Sequence, residues 1–248
     1  MSTVDQFESV FKAAAKVVYE HEKPTLAKVV LVTDLEEAEA NLFLSSVRNF
    51  FANALPESDS EWIVLSKGSY RSVKEVLEKV EEHQPDLLVT YRNLGSESWR
   101  WPYSLGEHLD VLTQVTTTPV LVLPHPDRDD CATLLAKDLR NVMAVSGHLC
   151  GEGSLVHYGS TFTPEGGSLI LSHVEDQSTL DRYLEAIEKI PEIDSDLARE
   201  LLLTRLLKDA KDFSESARQG LQESGRTINV ECRAQVGRRL EDYRKLIE

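Results

Sequence analysis

Seven short runs rich in apolar residues punctuate the chain, the first six without polar alternation: KVVLVT (28–33), WIVLS (62–66), DLLVT (86–90), PVLVL (119–123), NVMAV (141–145), SLILSH (168–173) and TINVEC (227–232). A run of this kind predicts a strand buried on both faces, as in a parallel sheet covered by helices on each side. Helical periodicity fills the spaces between them. Residues 4–19 place Phe7, Val10, Phe11, Ala14 and Val18 on one stripe, and residues 36–54 do the same with Leu42, Val47, Phe50 and Phe51. Shorter helices are predicted over 72–82 and 105–114. A long one over 196–222 opens on Asp194-Ser195-Asp196, acidic residues suited to a helix amino end.

Composition narrows the class of protein. With 248 residues and 41% hydrophobic residues, the chain can bury the core of one large or two modest domains. Its 27 Lys plus Arg against 42 Asp plus Glu give a net charge of −15, spread along the sequence. A surface of that sign repels phosphate backbones and anionic lipid, so neither nucleic acid nor a membrane is expected as a partner. The start, MSTVDQFESVFK, lacks the apolar run of a signal peptide, and no stretch reaches the roughly 18 apolar residues of a membrane span. Cys131, Cys150 and Cys232 are odd in number and far apart, which fits a reducing compartment. The expected location is cytoplasmic.

The polar segment HPDRDD (125–130) follows the fourth strand and reads as the start of a linker. Splitting the chain there exposes a repeat. In the first half a strand ends at Lys67-Gly68 and runs into SYRSVKEVLEKVEEHQ; in the second, one ends at Gln235-Val236-Gly237 and runs into RRLEDYRKLIE. Both put glycine, which tolerates positive φ, at the strand-to-helix turn. Two copies of one domain are therefore expected, over 1–125 and 140–248, with a linker at 126–139.

The order of Gly68, a helix, Pro85-Asp86-Leu87-Leu88-Val89, a loop, Leu105-Gly106, a helix and Thr118-Pro119-Val120-Leu121-Val122 resembles the universal stress protein family across 68–123. Residues 141–237, with Ser172-His173-Val174 closing the second strand, resemble the front half of the same fold. The resemblance implies an α/β parallel-sheet sandwich of the adenine nucleotide alpha hydrolase-like type, five-stranded, in tandem or paired domains. By that pattern the first copy has one strand-helix unit too few before Gly68, so 28–34 matches either the first strand or the second. The second copy stops before its last strands, and the expectation is a truncated or fragmentary chain.

In the family's ATP-binding members a glycine follows the fourth strand, a second comes three residues later, and a third precedes Ser or Thr at the next helix start. Carried over, these positions are Tyr91, Leu94 with Gly95 beside it, and Gly106 followed by Glu107, in a loop about two residues longer. Two glycines are replaced by bulky side chains, and a carboxylate stands where a phosphate would need a hydroxyl. The resemblance also implies an acidic nucleotide contact after the first strand, which Asp34 fills if 28–33 is that strand; the alternative is that Asp34 caps the helix starting at Glu36. In the second copy the matching residue is Ser146. The expected cofactor-binding set is Asp34, Gly68, Gly95 and Gly106, with ATP or AMP as the implied nucleotide and no cofactor fixed by the residues themselves.

Other chemistry is thinner. The loop 147–153 holds His148 and Cys150, with His157 and His173 further on, but lacks the paired spacing of a zinc site or a base for the thiol. It reads as a flexible connection with a structural cysteine. SWRWPY (98–103) gathers two of three tryptophans in one polar loop, suited to a protein interface or a lid through Trp99, Trp101 and Tyr103, or to local packing. Residues 119–124 resemble the strand that pairs between domains in the family. The function expected is a non-enzymatic regulatory or stress-response module with a degenerate nucleotide site, acting through self-association, domain pairing or a protein partner. The alternative is an ATP- or AMP-binding protein with weak or no hydrolysis.

Overall fold

The computed structural model describes residues 18–52, 60–137, 139–147, 149–151, 153–190 and 194–247. The expected helix at 4–19 lies, as far as residue 17, outside them. The chain divides into two compact units, Thr25–Asp138 and Met1–Pro24 with Leu139–Glu248. Both are α/β, each built on a parallel sheet.

In the first unit the order is β1 (Lys28–Val32), α1 (Glu37–Phe51), β2 (Glu61–Leu65), α2 (Val73–His83), β3 (Leu87–Tyr91), α3 (Glu107–Val115), β4 (Val120–Leu123) and α4 (Cys131–Leu135). The four parallel strands lie in the order β2-β1-β3-β4. β1 pairs β2 on one side and β3 on the other, with Val30 opposite both Ile63 and Leu88. Its Val29, Val30, Leu31 and Val32 are fully buried, as are Leu88 and Val89 of β3, which is why these segments read as unbroken apolar runs. The edge strand β4 exposes Val122.

The helices cover this sheet by the faces that their periodicity allows. α1 buries Ala40, Phe43, Val47 and Phe51, whereas Leu42, expected on the apolar stripe, is exposed. At the start of α2 the Ser72 hydroxyl accepts the Glu75 N–H, and the Glu75 carboxylate accepts the Arg71 N–H. Gln84 in left-handed conformation then ends the helix before Pro85. Residues 131–135, expected in a linker, form α4, which buries Cys131 and Leu135 and packs on α1.

The second unit contains β5 (Asn141–Ser146), α5 (Gly153–Phe162), β6 (Ser168–Asp176), α6 (Gln177–Ile187), α7 (Ser195–Glu223), β7 (Asn229–Gly237) and α8 (Arg239–Ile247). Its parallel strands lie in the order β5-β6-β7. β7 runs to Gly237, beyond the apolar stretch 227–232, because β6 offers partners as far as Asp176 and a strand at the edge tolerates Arg233 and Gln235. Tyr19 lies in this core with Leu169, Leu171, Phe213 and Ala217. Its N–H donates to Ser216 Oγ at 2.9 Å, and a Cβ on Gly220 would come 2.9 Å from its ring. Residues 18–24, assigned by sequence to the first domain, thus belong to the second unit.

Candidate functional site

In the first unit the strand order reverses between β1 and β3, the place where an open α/β sheet leaves a crevice at its carboxyl edge. A pocket of about 430 Å³ opens there, lined by Asp34 after β1, Lys67, Gly68, Tyr70 and Arg71 after β2, Leu94 and Gly95 after β3, and His108 in α3. Three residues expected at a nucleotide site, Asp34, Gly68 and Gly95, share this lining. Gly106 is not part of it.

Asp34 is held from within the protein. The Tyr91 hydroxyl donates to Asp34 Oδ1, and the Gly95 N–H donates to Oδ2 at 2.5 Å. Tyr91 oxygen accepts the Asp34 N–H at 3.1 Å and lies 2.7 Å from Thr33 Oγ1. A phenol has one proton, and it goes to the carboxylate, so the Thr33 hydroxyl donates to Tyr91 and accepts the Leu35 N–H at 3.2 Å. Burial, then the Asp34 carboxylate, raises the Tyr91 phenol above its ordinary range. Tyr70, which donates to the Thr33 carbonyl at 3.1 Å, is raised by burial and then by the charge of Asp34. Both tyrosines therefore stay neutral donors. Capping of the next helix by Asp34 is not what the structure has: Glu36 is the N-cap of α1 and no side chain caps it.

The three glycines have different reasons to be glycine. Gly68, Gly95 and Gly106 have φ of +88°, +71° and +82°. A Cβ at Gly68 or Gly95 would meet nothing within 4 Å, whereas at Gly106 it would lie 2.6 Å from Asn93 Cα. Asn93, itself at φ 61° and buried, donates from its backbone to Leu105 O at 2.9 Å and from its amide to Ser104 O at 3.0 Å, and its Oδ1 accepts the Ser104 hydroxyl at 2.8 Å. Gly106 thus serves closure of the 92–106 loop. α3 begins on exposed Glu107 with no side-chain cap.

Charge at the rim is mixed. Lys67 pairs with Glu36 at 2.8 Å, and Asp34 shares the lining with Arg71 and His108. His108 Nε2 is shielded from solvent without a hydrogen-bond partner among the described residues, and its ring meets Tyr70 edge-on at 5.7 Å. Sequence reading missed Tyr70, Arg71 and His108. Their signal was position alone, two or three residues beyond a loop glycine.

The aromatic loop divides into an inward and an outward half. The Arg92 guanidinium donates to the carbonyls of Pro102 (2.8 Å), Ser104 (3.3 Å) and Trp99 (3.4 Å). Trp99 stacks on His125 at 4.9 Å, and His125 meets the edge of Tyr91 at 4.7 Å. Trp101 and Tyr103 point out, 71% and 94% exposed. Neither these residues nor Trp99 belongs to the pocket lining.

In the second unit the strand ends are covered by α8. Tyr243 accepts the Val174 N–H at 3.1 Å and donates to Ser146 O at 3.2 Å, while Arg239 donates to Val174 O at 3.1 Å. Cys150 is a free, exposed thiol, raised by partial burial and then by Asp209 and Asp212. His148 lies outside the described residues. His157 bonds Glu20 O at 2.9 Å, and His173 bonds Glu175 at 3.3 Å. Among the described residues no group of three or more His, Cys, Asp or Glu could hold a metal ion, and no helix is long and apolar enough to cross a membrane. No protein-family model matches the chain, and no curated protein matches it.

Proposed function

We propose that this chain is a non-enzymatic regulatory module of the universal stress protein kind, with a nucleotide frame closed from within and an aromatic loop as its contact surface. One observation carries this reading: each oxygen of Asp34 already accepts a hydrogen bond from within the protein, one from Tyr91 and one from the Gly95 N–H that an open phosphate loop would turn towards a ligand. Hydrogen bonds to a charged group contribute about 1.5–3 kcal/mol each, so a nucleotide recruiting Asp34 and Gly95 must first offset that loss. Glu107 adds repulsion at the helix start. A cytoplasmic role in stress response, by self-association or through a protein partner at Trp101 and Tyr103, belongs to the same reading.

The test is calorimetric titration with ATP and AMP, with and without magnesium. The reading expects no saturable heat, and tight saturable binding overturns it. A second reading, an ATP- or AMP-binding protein with weak or no hydrolysis, is favoured by the pocket itself. Its 430 Å³ is within the range of small-ligand sites, and Gly68 and Gly95 leave space open beside Arg71.

A further inference from the structure

His125 sits where the aromatic loop meets the strand ends. The residue is 6% exposed, with the Trp99 ring stacked on one face at an interplanar angle of 15° and the Tyr91 ring edge-on at 69°. Its Nδ1 accepts the Asp127 N–H at 3.2 Å, which places the ring proton on Nε2. That Nε2 is buried and has no hydrogen-bond partner among the described residues. The turn below is fixed as well: the Arg128 N–H donates to His125 O at 3.0 Å, and the Cys131 N–H to Arg128 O at 3.0 Å, leading into α4.

We propose that His125 is an acid-sensitive latch: neutral, it holds Trp99 and the loop 96–104 in the setting described above, and on taking a proton from solvent it releases them. A proton added at Nδ1 turns the acceptor into a donor facing the Asp127 N–H, so the bond that orients the ring is lost. The carboxylate in position to answer the new charge is that of Asp127, 3.8 Å from Nδ1, beyond hydrogen-bond reach until the turn moves. The other charged groups acting on the ring are Asp34 after β1 and Arg92 at the end of β3, with Tyr91 edge-on against it; Arg128, Asp130 and Cys131 follow in the turn, and the Arg100 guanidinium lies over the Trp99 ring at 5.3 Å. Arg128 is taken by Asp130 at 2.7 Å, and Asp34 by Tyr91 and Gly95. Desolvation outweighs the pull of Asp127 and Asp34, and Arg92 opposes the charge further, so the His125 pKa is lowered. Release would free a loop that Arg92 still tethers by three carbonyls, changing the setting of Trp101 and Tyr103 rather than unfolding the unit. The consequence for partner contact rests on the proposed role of that loop; the latch does not.

The experiment is a pH titration of tryptophan emission on the full chain from pH 8 to 4.5, with far-UV circular dichroism marking the folded range, on the natural protein and on His125→Asn. Asparagine keeps an acceptor for the Asp127 N–H but takes no proton. The latch predicts a reversible emission step with midpoint below 6.5 and unchanged dichroism, lost in His125→Asn. An equal step in the variant, or no step in the natural protein before the dichroism changes, overturns it. If the variant fails to fold, imidazole and indole resonances of the natural protein decide. The latch requires the Trp99 indole N–H to move with the His125 titration, below 6.5, and independent movement or a midpoint at or above 6.5 overturns it.

Discussion

Asp34 shows how a residue's role follows from who donates to it. The Tyr91 hydroxyl, 57 residues away in sequence, reaches its carboxylate across neighbouring strands. Tyr91→Phe keeps the ring packed on Phe43 and His125 but removes that donor, and should lower unfolding free energy in urea by about 1.5–3 kcal/mol. The glycines give a graded test. Gly106→Ala should cost more than the roughly 1–2 kcal/mol of left-handed strain, because its Cβ would fall 2.6 Å from Asn93 Cα, while Gly95→Ala should cost only that strain. His125 adds a pH term. Its pKa is lowered by folding, so between the unfolded value and the folded one the unfolded chain holds more protons. That contribution to stability is complete above the unfolded value near 6.5 and is lost as pH falls from there to the folded pKa. Chemical denaturation of the natural protein and His125→Asn at pH 7.5 and 5.5 should show a larger loss on acidification for the former.

At the scale of elements, the strands were legible because burial on both faces leaves little choice of residue: Val29 to Val32 of β1 and Leu87 to Val89 of β3 are all apolar. Helix faces were less so. In α1, Leu42 and Phe43 are adjacent and both apolar, and only packing decides that Phe43 is buried and Leu42 exposed. The site was legible where backbone conformation demands a residue type, as at Gly68 and Gly95, and hidden where a contact joins side chains distant in sequence, as with Tyr91 and Asp34. The 18–24 segment is the extreme case, since Tyr19 bonds Ser216 across 197 residues, a pairing no local pattern encodes. Its ring is 4% exposed in the core of the second unit. Tyr19→Ala should therefore cost about 3–5 kcal/mol, read as a lowered melting transition of α7 and β7 by hydrogen exchange rather than of β1 or β3.

In the first unit, a crevice whose Asp34 carboxylate accepts hydrogen bonds from within the protein accompanies an aromatic loop that exposes Trp101 and Tyr103. The charge of −15 disfavours polyanionic partners and leaves contact through Trp101 and Tyr103 as the surface to test. The claim at the centre is that Gly95 gives its N–H to Asp34 and withholds it from a ligand. The most direct measurement is the Gly95 amide resonance in a ¹H–¹⁵N spectrum as ATP with magnesium is added. The account predicts that this peak stays in place at every nucleotide concentration. A saturable shift of Gly95, with the neighbouring Leu94 and His108 amides moving in step, would contradict it.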